Sequence, residues 1–139
     1  MKRAAGFTLI EVLVSMVVLS VALLGTAALT ASSLKNTNTS YYLSQATIMA
    51  DDVLDRMRAN LAQARAGKYN IAADGSVAAS ANTLAKFDCD EWLTTLSQTM
   101  PGGKGKVSVD PGTGEAKITI EWDGGTAAGG QSFQTSSQL

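Results

Sequence analysis

The stretch Gly6-Phe7-Thr8-Leu9-Ile10-Glu11-Val12-Leu13-Val14 leads into a long apolar run, and Glu11 is the one charge in it. From Val12 to Leu34 there are 23 consecutive uncharged residues, which as helix at about 1.5 Å each cross a ~30 Å hydrocarbon core. Lys2 and Arg3 precede the run and only Lys35 closely follows it. That asymmetry places the N-terminus in the cytoplasm and the rest outside. A carboxylate at the centre of a membrane helix costs roughly 2.5–3.5 kcal/mol, and less near an interface. Three arrangements accommodate the segment. A cleaved signal peptide would use Thr26-Ala27-Ala28 as its small-residue site. A plain signal anchor would keep the whole run. The third is a short basic leader ending in Gly6, then a retained apolar helix with one acid near its start. The first two gain nothing from Glu11, so the acid favours the third.

The motif Gly6-Phe7-Thr8-Leu9-Ile10-Glu11-Val12 resembles the class III signal sequence of type IV pilins and type II secretion pseudopilins. The resemblance implies that prepilin peptidase cuts between Gly6 and Phe7 on the cytoplasmic face and N-methylates Phe7. Glu11 would then be the fifth residue of the mature chain, a position that family keeps acidic. The chemistry is coherent. Cleavage turns an uncharged amide into an α-ammonium, and methylation leaves it cationic. Glu11 lies one helical turn away, where negative charge is favoured by the helix dipole. In a packed bundle it can also meet the ammonium of a neighbouring subunit, and an unpaired carboxylate there stays costly.

Composition excludes several function classes. The chain has 139 residues, net charge −1 and no histidine, with a pI near 5.3. It therefore lacks the commonest general base and metal ligand, and it has no basic footprint for nucleic acid. Cys89 is the only cysteine, so no intrachain disulfide or thiolate cage can form. Nine of the 13 glycines follow Met100, so the front reads as helix and the back as turns and strands.

Leu43, Ala46, Ala50, Val53, Leu54, Met57 and Leu61 recur at helical spacing and predict one buried face. Asp51, Asp52, Asp55, Arg56, Arg58 and Asn60 fall largely opposite, with Asp52 and Arg56 set for an i,i+4 pair. Neither Gly nor Pro interrupts Asn36–Ser40, so the membrane helix is expected to continue to Leu61 or beyond. Gly67 ends the pattern, and 68–83 reads as loop. A short helix is expected over 90–100, capped by Asp88 or Asp90, stopped by Pro101-Gly102, and burying Trp92, Leu93, Leu96 and Met100. Alternation predicts strands at about 106–110 and 116–123 around the turn Pro111–Gly114, and a third at 131–138. The fold class is thus α+β: a long N-terminal helix packed on a small antiparallel sheet, with a leader at 1–6, a membrane and filament-core helix at 7–34, an amphipathic half at 35–66 and a head at 67–139.

Met49-Ala50-Asp51 and Asp55-Arg56-Met57-Arg58-Ala59-Asn60, with the later Trp92, Leu96 and Met100-Pro101-Gly102-Gly103, resemble the PilV type of minor pilin. Val53-Leu54 depart from that pattern by standing between the acids. The resemblance implies a non-enzymatic subunit that primes type IV pilus assembly or enters its tip complex; it does not say whether the subunit serves adhesion, twitching motility or DNA uptake. It implies other minor pilins, the major pilin and a tip adhesin as partners, and prepilin peptidase as the processing enzyme. The protein would sit in the inner membrane before assembly and in the pilus at the cell surface afterwards. A minor pseudopilin shares the same stem logic, and a signal-anchored periplasmic enzyme or binding protein is the alternative of another class.

No cofactor or metal is expected. Asp51, Asp52 and Asp55, and likewise Asp88, Asp90 and Glu91, lack a calcium-loop glycine and a full ligand set. They read as solvated faces and a helix cap. Cys89 between two acids reads as a buried small residue, since its thiolate is disfavoured. Gly25 reads as a packing glycine, and Trp92 and Trp122 as core.

Overall fold

The computed structural model describes residues 7–80, 83–124 and 130–139. Its elements are α1 (Leu9–Ala59), α2 (Leu61–Arg65), α3 (Leu84–Thr99), β1 (Lys104–Val109), β2 (Glu115–Trp122) and β3 (Gln131–Gln138). This is a long N-terminal apolar helix followed by a small three-stranded antiparallel sheet, the α+β layout expected. Contacts divide the chain into two units, Met1–Asn38 and Thr39–Leu139.

In the first unit every described residue is exposed. This part of α1 contains a stretch long and apolar enough to cross a membrane. Five of its hydroxyl groups, on Ser15, Ser20, Thr26, Thr30 and Thr37, bond to carbonyls of the preceding turn. Ser15 donates to the Glu11 carbonyl at 2.7 Å, Ser20 to Met16 at 2.7 Å, and Thr30 to Thr26 at 2.9 Å. Such back-bonding matters where no water is available to pair a hydroxyl.

The second unit is organised around one apolar core. Ala46, Ala50, Val53, Leu54 and Met57 of α1 bury the predicted stripe. They share a cluster with Trp92 and Leu96 of α3 and with Val107, Ala116, Ile118, Ile120 and Trp122 of the sheet. Leu43 and Leu61 do not join it, at 46% and 37% exposed. Leu43 lies one turn before the first buried position. Leu61 lies beyond a break, because α1 stops at Ala59 rather than running through 35–66. At Asn60 the backbone leaves the helical region (φ −126°, ψ 50°), and its side chain donates to the Tyr69 hydroxyl at 3.3 Å. The helical phase is therefore reset before α2.

The third helix differs from the expected 90–100. It starts at Leu84, and its N-cap is Thr83, whose hydroxyl accepts from the Lys86 amide at 3.3 Å. Asp88 and Asp90 are interior to it. The extra turns are buried through the small residues Ala85 and Cys89, while Leu84 and Phe87 point outward. A stripe read from large apolar residues misses a face that begins with small ones.

The strands alternate cleanly, buried residues at Gly105, Val107 and Val109 facing those at Ala116, Ile118, Ile120 and Trp122. The sheet order is β1-β2-β3. Val107 lies opposite Ile118, and Ile120 opposite Phe133. Asp110 shapes the β1–β2 turn by accepting from Gly112 at 2.7 Å and Thr113 at 3.2 Å. Gly114 there has φ +74°, a conformation that favours glycine. Gly105 is required for another reason, since a Cβ at that position would overlap the Trp92 ring.

The segment read as loop contributes to the core. Tyr69 and Ile71 are fully buried. Ile71 exchanges two main-chain bonds with Val107, at 2.9 and 3.1 Å.

Candidate functional site

The candidate site lies at the start of α1. Phe7 is 83% exposed, and Gly6, Lys2 and Arg3 lie outside the described residues. Thr8 precedes the helix, and its hydroxyl accepts from the Glu11 amide at 3.3 Å. The Thr8 carbonyl also receives the Glu11 and Val12 amides, at 3.1 and 3.3 Å. Thr8 is therefore the N-cap and Glu11 the third helical residue, the Thr-x-x-Glu spacing of a capping box. This role of Thr8 was readable in the sequence and is a second local reason for an acid at position 11.

Phe7, Glu11 and Ser15 follow each other at i,i+4 steps and, with Val12, Met16 and Leu19, flank a shallow hollow on one side of the helix. Glu11 is the one acid in the first turn, and its carboxylate makes no ion pair among the described residues. Gly25, further along, has open space around it: a Cβ there would meet nothing within 4 Å.

Asp52, Asp55, Asp88, Asp90 and Glu91 of the acidic clusters are each held by a cation or a hydroxyl. Arg56 Nε lies 3.1 Å from Asp52, and its Nη1 lies 2.7 Å from Glu91 and 3.8 Å from Asp88. Asp55 pairs with Arg58 at 3.0 Å, and Lys86 pairs with Asp90. The Asp88 carboxylate accepts from the Tyr69 hydroxyl at 2.5 Å. Among the described residues no group of three or more acids and cysteine is arranged to hold a metal.

Cys89 is fully buried and its thiol is pushed up to about 11, first by burial and then by Asp88 and Asp90. A thiol so disfavoured as thiolate is inert at neutral pH. Trp92 and Trp122 are both core residues. The Trp92 indole donates to the Met49 carbonyl at 2.8 Å, whereas Trp122 Nε1 is buried with no partner among the described residues.

Comparison with curated proteins and with solved structures found no match. Residues 1–27 match the family model of the prokaryotic N-terminal methylation motif, the type IV pilin-type prepilin signal, which supports a type IV pilin or pseudopilin family and, with the fold, a structural subunit processed by prepilin peptidase and assembled with other pilins.

Proposed function

We propose that the chain is a minor pilin of the PilV type, a structural subunit that primes a type IV pilus or enters its tip complex. Its partners are other minor pilins, the major pilin and a tip adhesin. Cleavage between Gly6 and Phe7 and N-methylation of Phe7 produce the mature subunit. It waits in the inner membrane with its head in the periplasm and is then drawn into the filament.

The observation that carries this reading is Glu11. It is an exposed carboxylate at the third position of an apolar helix, with no cation beside it among the described residues. In low dielectric such a group is tolerated only with a partner. The methylated ammonium of a neighbouring subunit's mature N-terminus supplies one of the right charge at the right depth. Glu11 thus favours the packed state over isolated or misaligned subunits.

Mass spectrometry of the mature N-terminus, taken from sheared pili and from inner membranes, tests the proposal. A methylated Phe7 in the pilus fraction is expected. An intact Met1, or a start near Leu29, would overturn the pilin reading. Methylated Phe7 confined to membranes that carry a secretion apparatus would instead favour a pseudopilin.

A further inference from the structure

The outer side of β1 is paired along only part of its length. Asp110 donates to the Glu115 carbonyl at 2.9 Å, and the register from Lys104↔Glu121 to Val109↔Ala116 carries that phase back along the strand. Residues of an antiparallel strand alternately turn their main-chain groups toward and away from a given neighbour. Lys104, Lys106 and Ser108 therefore bond to β2, while Gly105, Val107 and Val109 turn away from it. Val107 exchanges its two bonds with Ile71, and the Val109 amide donates to Asn70 Oδ1 at 2.8 Å. The next pair in this phase would be Ala73 with Gly105, and it does not form. The chain has already turned there. The Gly75 amide donates to the Ala72 carbonyl at 2.9 Å, Gly75 has φ +83°, and the Ser76 amide donates to Asp74 Oδ1 at 2.9 Å. Gly105 is buried, yet its N–H and C=O have no partner among the described residues. Such groups are costly unless something meets them.

These two groups open onto a hollow of about 280 Å³, which Asp74, Gly75, Leu93, Gly103 and Lys104 also line. Its volume falls just below the ~300–1,000 Å³ of sites for drug-sized ligands, so it suits a smaller molecule. Leu93, partly buried against the core, forms an apolar wall. Lys104 and Asp74 bring opposite charges to the same hollow, and neither makes an ion pair among the described residues. Only Oδ1 of Asp74 receives the Ser76 amide, which leaves its second oxygen free. The hollow thus offers one cation, one anion, one main-chain donor, one main-chain acceptor and one apolar contact.

We propose that this hollow binds a free α-amino acid with an apolar side chain. The ligand's carboxylate meets the Lys104 ammonium and accepts from the Gly105 amide. Its own ammonium meets the free oxygen of Asp74 and donates to the Gly105 carbonyl. Its side chain lies against Leu93. Bonds to ionised groups are the stronger kind, and a dipolar molecule satisfies all four polar groups at once. A simple anion or cation would leave the opposite charge and one main-chain group of Gly105 unpaired. A segment from within a polypeptide matches the Gly105 donor and acceptor but brings neither terminal charge. The site belongs to the Thr39–Leu139 unit alone and does not rest on the pilin reading.

Nuclear magnetic resonance of the full chain in detergent, isotopically labelled at its glycine nitrogens only, tests this by titration with L-leucine. The amide signals of Gly75, Gly103 and Gly105 are expected to move together and saturate, with a Kd of about 1 mM or below. Those of Gly25 and Gly114, which lie outside the hollow, should stay in place. N-acetyl-leucine lacks the ammonium and leucine amide lacks the carboxylate, so each should bind about tenfold or more weakly. Lys104→Gln and Asp74→Asn should raise the Kd for leucine by a similar factor. Both residues are exposed, and asparagine keeps the acceptor for the Ser76 amide, so both variants should fold. No shift at about 20 mM leucine, equal binding of either blocked form, or an unchanged Kd in either variant would overturn the proposal. Movement of the same three glycines with internal peptide segments but not with leucine would overturn it too.

Discussion

Trp92 donates its indole N–H to the main-chain oxygen of Met49 at 2.8 Å, and that bond joins α3 to α1 inside the head. The ring itself packs over Gly105, where no side chain fits. One residue thus links both helices to the first strand. The acceptor carbonyl belongs to a regular helix, so the contact adds to the helix without replacing one of its bonds.

Trp92→Phe keeps most of the ring and removes the donor. The expected loss is about 1–3 kcal/mol, the range for a buried hydrogen bond plus a small cavity. Denaturant unfolding of the full chain in detergent, followed by the remaining Trp122 fluorescence, measures it. A loss below about 0.5 kcal/mol would show that the indole bond contributes little.

Arg56 is the electrostatic counterpart of Trp92. Its guanidinium reaches Asp52 of its own helix and Glu91 of α3 at once, and the Glu91 bond is the chief reason its pKa is raised. A lysine presents a point charge and cannot hold both carboxylates in fixed geometry. Arg56→Lys should cost about 1 kcal/mol, given that the partners are substantially solvated. The difference should shrink in about 1 M salt, where exposed pairs are screened within a few ångströms. Equal stability of the two proteins at low salt would assign the bridge no energetic role.

The contrast between these residues and others shows what was legible from sequence. The uncharged run and the alternating strands carry strong local periodicity, so α1 and the sheet were readable. Tyr69 and Ile71 were not. Their burial depends on a two-bond bridge to Val107 and on a hydroxyl meeting Asp88, contacts between segments far apart in the chain. The break at Asn60 likewise follows from its side chain reaching Tyr69, which no helical pattern encodes. At the candidate site the reverse holds. Thr8 and Glu11 form a local capping pair, visible in four consecutive letters.

The buried Tyr69 and Cys89 make the head sensitive to alkali. Burial, with the bond to Asp88 adding to it, raises the Tyr69 hydroxyl from its ordinary value near 10 to about 12. Burial raises the Cys89 thiol from near 9 to about 11. In both cases the folded state keeps a proton that the unfolded chain releases. Stability is therefore full below about pH 9 and falls as pH rises through 9–12. Tyr69→Phe should be less stable at pH 7, through loss of the Asp88 and Asn60 bonds, yet show a shallower alkaline decline. Thermal melts from pH 7 to 11 measure both; parallel curves for the two proteins would remove Tyr69 as the cause.

Glu11→Gln separates two roles of the acid. Glutamine serves the third helical position of a capping box nearly as well as glutamate, so the helix start next to Thr8 should stay intact. What it cannot supply is the negative charge for a neighbour's ammonium. Cleavage after Gly6 and methylation of Phe7 should therefore proceed, since they precede packing. Incorporation should fall to the level of Glu11→Ala, because the loss is of charge rather than of helix. Mass spectrometry of the N-terminus and immunoblots of sheared filaments measure the two steps separately. If Glu11→Gln assembles like the unaltered protein while Glu11→Ala does not, capping by residue 11 is the property that matters, and the intersubunit charge pair is not.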